Sequence, residues 1–232
     1  MEDSKKESKA KNFIKRYCNN KLAVIGFFTL VLITLIVIIA PPFLPFSEAE
    51  IDPLAFNMPP SAKHLLGGDD VGRDVLSRLL YGGRVSLAVG IFSTAVSVIV
   101  GIPLGMLAAF YRGAFEVVVM RLSDIFMSFP STILILFLVS MFGPSIITVT
   151  VVIGVLGWPK FARQIYGSVL SIREKDYIEG AVAIGAKDKL IITRYILPNA
   201  VAPIFISITF RIASAIILES SLSFLGMGVQ PP

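Results

Sequence analysis

Metal and redox chemistry have little to work with in this chain: one cysteine (Cys18) and one histidine (His64) among 232 residues. A single cysteine cannot close an intrachain disulfide, and the two together supply no His/Cys ligand set for a metal. Charge is also scarce. Only 16% of residues are Asp, Glu, Lys or Arg, against about 25% in a soluble domain. No Gly-x-x-x-x-Gly-Lys-Ser/Thr loop occurs, so the chain carries no ATPase phosphate cradle of that type. No segment repeats another at a fixed period. Apolar residues dominate instead, at 55% with a mean hydropathy of +0.79. They fall in blocks of roughly 20 residues, the length a helix needs to cross a hydrocarbon core about 30 Å thick.

Residues 1–21 hold seven bases and three acids, and 22–40 hold no charge. That apolar run exceeds the core of a signal peptide, about 7–15 residues, and Pro41, Pro42 and Phe43 follow it. It reads as an uncleaved first membrane helix, 22–43, behind a cytoplasmic segment, 1–21. Residues 44–83 are proline-rich, with six acids and three bases, and read as external. A second helix is expected at about 84–110, beginning at Arg84, with Gly90, Gly101 and Gly105 allowing close helix approach. A third, about 117–140, holds Arg121 and Asp124 on one face, as an ion pair or a substrate contact. Pro130 should kink it and Gly143-Pro144 should end it. The fourth, about 145–159, closes at Trp158, Pro159, Lys160 and Arg163.

Residues 160–194 carry seven bases and four acids. Burying them all would cost on the order of 30 kcal/mol, so the segment lies outside the bilayer. After four crossings it falls in the cytoplasm. A fifth helix, about 198–218, has Arg211 as its one charge and Glu219 near its outer end, with 223–232 external. The expectation is an all-α polytopic membrane helix bundle of about five spanning helices, with its core at 84–232. The net charge of +5 flanks the apolar blocks, so membrane orientation explains it and lipid, not nucleic acid, is the implied partner.

Within 160–194, residues 176–186 read as one short helix and 187–195 as a second. Gly185 closes the first in the left-handed region, and Pro198 falls in the first turn of the fifth membrane helix. Two readings of this pattern stay open: a rigid knob that docks into a soluble partner, or an interfacial amphipathic loop.

Glu179-Gly180-Ala181, Gly185 and Ile196-Leu197-Pro198 resemble the coupling-loop motif of binding-protein-dependent ABC importer permeases. The wider run Asp176-Tyr177-Ile178-Glu179, the stretches 66–82 (LGGDDVGRDVLSRLLYG) and 223–232 (SFLGMGVQPP), and Met127-Ser128-Phe129-Pro130 resemble that family's dipeptide/oligopeptide/nickel branch. The resemblance implies a permease subunit and no enzyme. Its implied partners are a second homologous permease, two ATP-binding subunits that carry the ATP and Mg, and an external solute-binding protein. No cofactor is implied in this chain. Asp176, Tyr177, Glu179, Gly180, Ala181, Gly185, Ile196, Leu197 and Pro198 would form the ATPase-coupling contact. Gly72, Arg73 and Asp74 would dock the binding protein, or form a turn held by an internal ion pair. The implied cargo is a peptide, with nickel or another small solute as the alternative.

Two departures stand out. Gly180 replaces the family's usual alanine, at about 1 kcal/mol in a helix interior. The family also continues past 229–232 into a last spanning helix, so the chain is expected to be a fragment. The rival classes fare worse. Asp124 and Arg211 form no nucleophile–base pair for an intramembrane enzyme, and a self-contained channel or secondary transporter needs no knob and usually shows internal repeats.

Overall fold

The computed structural model describes residues 18–228; the expectations for 1–17 and 229–232 lie outside them. Among the described residues the regular structure is helical, with two isolated β-bridges. The chain divides into two compact units, Met1–Arg84 and Val85–Pro232.

In the first unit, α1 (Lys21–Ile39) starts where the Asn20 side chain accepts from the Ala23 amide at 3.2 Å, an N-cap. The helix is about 29 Å long and apolar around its whole circumference. Only Val37 is buried, which is the pattern of a lipid-facing span. Its terminal carbonyls are met by Arg84, whose Nε donates to Val37 O at 3.1 Å and whose Nη2 donates to Ile38 O. A cation suits the negative end of the helix dipole.

Residues 44–74 fold around three carboxylates. Asp69 accepts the Val71 and Arg73 amides, both at 2.9 Å, and the guanidiniums of Arg73 (3.0 Å) and Arg78. Asp52 accepts the Leu54 amide at 2.9 Å and the Lys63 ammonium. His64 is only 1% exposed; its Nδ1 lies 3.0 Å from Asp74 Oδ1 and its ring stacks on Phe46. The lone histidine is therefore a buried structural residue.

An ion pair between Arg73 and Asp74 is not formed. Arg73 turns to Asp69, while Asp74 faces His64 and caps the next helix by accepting the Ser77 amide at 2.8 Å. That cap corrects the expected start of the second helix. It begins at Val75, not at 84, and runs unbroken to Tyr111 as α2, 37 residues or about 56 Å.

Hydrogen bonding sets the acid response of 44–74. Burial pushes Asp69 up, but the Arg73 and Val71 amides and the Arg78 and Arg73 guanidiniums outweigh it and hold it at about 2, against 3.8 for a free carboxyl. The Lys63 ammonium and the Leu54 amide hold Asp52 at about 2 as well. A carboxylate with a depressed folded pKa stabilises the fold above its unfolded pKa and ceases to as pH falls through the folded value. Hydrogen exchange in 61–77, corrected for its intrinsic pH dependence, should thus be flat from pH 8 to about 5. It should accelerate between about 4 and 2, and Asp69→Asn should flatten the acid limb. An unchanged acid limb in that variant would remove Asp69 from the account.

The second unit holds the rest of α2, then α3 (Gly113–Ser128), α4 (Ser131–Phe142), α5 (Ile146–Arg173), α6 (Asp176–Ala183), α7 (Asp188–Leu190), a π-helical turn (Ile191–Ile196), α8 (Leu197–Val201) and α9 (Ile204–Phe224). The central helix is α5. Its flank of Val149, Ile153, Trp158, Ile165 and Val169 is buried, and α3, α4, α8 and α9 all pack on it. Glycines on α2 let that helix close in as expected. A Cβ on Gly101 would lie 2.6 Å from Trp158 O, and one on Gly105 would overlap Ala162 O.

Three expected boundaries need correction. The third helix is not kinked at Pro130 but broken there, because Phe129 turns extended (ψ 142°) and α3 and α4 meet at 88°. The fourth does not stop at Pro159. Proline removes one backbone donor, and Pro159 is buried within an otherwise continuous helix to Arg173. The fifth begins at Ile204 rather than 198, so Pro198 lies in α8 and Pro203 opens α9.

The expected ion pair between Arg121 and Asp124 is formed, at 3.9 Å, and Asp124 also pairs with Arg163 of α5. Glu219 is buried inside the bundle, accepting from Ser86 Oγ at 2.7 Å and Ser223 Oγ at 2.8 Å. Four helices (α1, α2, α5 and α9) are long and apolar enough to cross a membrane, and the bent α3/α4 pair would make a fifth.

Candidate functional site

The segment between α5 and α9 is built as a knob. After α5, Lys175 takes an extended conformation (φ −88°, ψ 139°) and accepts the Ile178 amide at 2.8 Å, turning the chain into α6. Asp176 and Glu179 occupy the first turn of α6, where negative charge meets the open amides. Its inner face, Ile178 and Ala181, is buried, Ile178 in one cluster with Ile165, Val169, Ile191 and Ile196. The outer face carries Asp176, Tyr177, Glu179 and Gly180, all exposed.

Gly185 ends α6 with φ +77°. Its amide donates to Val182 O at 2.9 Å, and the Ala186 amide donates to Ala181 O at 3.1 Å. Those two bonds make a Schellman closure, which favours glycine at the left-handed position. Among the described residues, no heavy atom lies within 4 Å of a Cβ placed on Gly180 or Gly185, so only backbone conformation restricts Gly185.

The second arm is more irregular than expected. After the single turn of α7, the chain widens into the π turn and then re-enters α-helix at Leu197-Pro198. Ile191, Ile192 and Ile196 are buried, whereas Leu197 is half-buried and Pro198 exposed. Proline lacks an amide donor, and the Asn199 side chain donates to Tyr195 O at 2.6 Å nearby.

Sequence reasoning missed two groups. Val182 and Ile184, 59% and 85% exposed, extend the outer face into an apolar patch; only their unfavourable exposure marks them, and that is not visible in a sequence. Arg173 donates to Phe110 O at 2.7 Å and stacks over the Phe110 ring, clamping the end of α2 at the root of the knob. The three docking candidates lie apart from the knob in sequence, in 44–74. Gly72 and Asp74 are buried there and Arg73 is half-buried, so the two buried residues serve the turn itself.

A family profile described as binding-protein-dependent transport system inner membrane component matches residues 101–232. The chain belongs to this family. The permease also matches, over residues 8–60, a profile described as the N-terminal TM domain of oligopeptide transport permease C. It is 38% identical to the dipeptide transport system permease protein DppC of Alkalihalophilus pseudofirmus, over 94% of this chain and 72% of the relative. It is 39% identical to the glutathione transport system permease protein GsiD of Pectobacterium atrosepticum, over 96% and 74%. The oligopeptide transport system permease protein OppC of Bacillus subtilis is 32% identical over 96% and 73%. The fold resembles a solved structure of the MetNI methionine ABC transporter in inward facing conformations. That match has a TM-score of 0.57 at 22% identity, over 65% of this chain and 76% of that one. The permease is an integral membrane protein of an ABC importer.

Proposed function

We propose that the permease passes di- and oligopeptides across the cytoplasmic membrane. The observation that carries the cargo is the set of relatives named for dipeptide, glutathione and oligopeptide transport, each covering more than nine-tenths of this chain. On this reading it works beside a second permease subunit on two ATP-hydrolysing subunits, and an external binding protein delivers the peptide. ATP is hydrolysed on those partners, and no catalytic step falls to this chain.

The knob is the coupling contact. Tyr177, Glu179, Val182 and Ile184 offer a mixed apolar and acidic face for a cleft in the ATPase subunit. Ile178 and Ile191 carry its displacement into the cluster around Ile165 and Val169. The external segment 44–74 receives the binding protein through its exposed surface, with Arg73 the one docking candidate that retains exposure. The test is uptake into proteoliposomes by the assembled transporter with its binding protein. ATP-dependent accumulation of labelled dipeptides and tetrapeptides is expected; accumulation of nickel alone would overturn the cargo.

Orientation follows from charge. Residues 1–21 hold seven bases, and the far end of α5 with the loop after it (160–194) holds seven more, against three in 44–83, which supports a cytoplasmic place for 1–21 and for the loop 174–194. In a Cys18-free background, an impermeant thiol reagent on intact cells should label a cysteine at 63 and spare one at 175. The reverse pattern would invert the topology.

A further inference from the structure

An uncompensated cation lies within α9. Arg211 stands seven residues, about 10 Å, from the first residue of that helix. Its Nη2 donates to Ile153 O of α5 at 2.7 Å, and its Nε is buried with no partner among the described residues. None of the ion pairs among the described residues includes it. Acids on the helices of the second unit have other partners: Asp124 has Arg163 and Arg121, Glu116 the Tyr166 hydroxyl, and Glu219 two serines. Space for the guanidinium is made by Gly157 of α5, where a Cβ would collide with Arg211 Nη2 and with Ser97 Oγ of α2. The hydroxyl of Ser97 donates its proton to Gly154 O at 2.7 Å, so all it can offer the cation is a neutral lone pair and no compensating charge.

A charge at such depth costs about 2.5–3.5 kcal/mol unless it is paired or hydrated. One carbonyl uses one of five guanidinium donors. A staple between α9 and α5 would need only that single donor. The remaining fork, planar and permanently charged, matches a carboxylate bidentately.

We propose that Arg211 binds the C-terminal carboxylate of the peptide in transit, a reading that rests on peptide as the cargo. Every unmodified peptide carries that group whatever its side chains. Recognition there grips the cargo without reading its sequence. The Gly157 notch holds the guanidinium against α5 and α2, so helix movements during the transport cycle alter the site and release the ligand.

The experiment compares uptake of a dipeptide and of its C-terminal amide by the wild-type transporter, Arg211→Gln and Arg211→Lys. Both peptides are used at concentrations that saturate the binding protein, whose own preference cancels in the acid/amide ratio. Glutamine keeps a donor for Ile153 O but loses the charge. The expected result is an acid/amide ratio about tenfold lower in Arg211→Gln, the size of one lost charge-assisted hydrogen bond, with Arg211→Lys between. ATPase co-purification should be unchanged.

A parallel loss of both substrates would overturn the proposal by making Arg211 structural. Loss of the second permease subunit from the complex, with the ratio intact, would overturn it by assigning Arg211 to a carboxylate of that partner. Should Arg211→Gln fail to assemble, Arg211→Lys carries the test, and a ratio equal to wild type refutes the site. A wild-type transporter that takes up neither peptide refutes the cargo itself, and so is told apart from failure of the arginine.

Discussion

Gly185→Val in the assembled transporter is expected to lower peptide uptake at least tenfold, while Gly180→Ala leaves uptake equal to or better than the parent. The two glycines differ by one physical property. Among the described residues, neither has a heavy atom beyond its own local backbone within 4 Å of a built Cβ, but Gly185 has φ +77° and Gly180 lies in helix. A β-branched residue is a strong misfit in the left-handed region, at about 1–2 kcal/mol or more. The chain would escape that strain by unwinding the Schellman closure, which carries the bonds from Gly185 to Val182 and from Ala186 to Ala181. Those bonds fix where α6 ends, and so where Val182 and Ile184 stand beside Glu179. Alanine at 180 meets no obstacle and favours helix by about 1 kcal/mol. Glu179→Ala should weaken ATPase co-purification without affecting membrane insertion. Uptake and co-purification measured side by side decide the matter: a Gly185→Val transporter as active as the parent removes the knob from coupling.

The other large effect belongs to Gly105→Ala. One methyl group there would overlap Ala162 O and lie 2.5 Å from Ile165 Cγ2. The obstacle is backbone, which cannot rotate away, so α2 and α5 must part. Overpacking of this kind costs about 1–3 kcal/mol and occasionally more, and parting the helices also disturbs the cluster that holds Phe161, Ile165 and Ala109. Gly167→Ala on α5 is the matched control, since a Cβ there meets no heavy atom of another element within 4 Å among the described residues. Thermal unfolding in detergent should drop clearly for Gly105→Ala and hold or rise for Gly167→Ala. Equal curves for the two would mean that α2 and α5 are not in close contact.

What the sequence made legible was the part governed by long apolar runs and by rigid local rules. The first helix was expected at 22–43 and spans Lys21–Ile39, with Pro41–Phe43 a separate 3-10 turn after it; nothing charged interrupts it. The left-handed Gly185 followed from its place after a short helix. Boundaries failed where one residue type has two outcomes. Pro130 breaks the chain into α3 and α4, yet Pro159 sits inside α5. The difference lies in neighbours, since Pro159 is packed on all sides and Pro130 is exposed. Charge partners were only partly legible for a similar reason. The pair of Arg121 with Asp124, three residues on, was read and is formed, but the second partner, Arg163, reaches Asp124 from another helix. The N-cap Asp74-x-x-Ser77 was readable in principle, but the charges of 69–84 outweighed it and hid nine residues of α2. The π turn left no trace in the apolar pattern of 191–196.

The length of α5 has a mechanical consequence. From Ile146 to Arg173 it is a single rod of 28 residues, about 42 Å along its axis. That exceeds the oily interior of a bilayer by about 12 Å and nearly equals its full thickness with headgroups, about 40–45 Å. Set upright with Ile146 at one edge of the hydrocarbon, the rod would carry its Arg173 end past the other edge. On the proposed coupling role, a subunit that grips Tyr177 and Glu179 would meet them beyond the oily interior. The stalk then works as a spacer, holding one end of the helix clear of the oil that surrounds the rest.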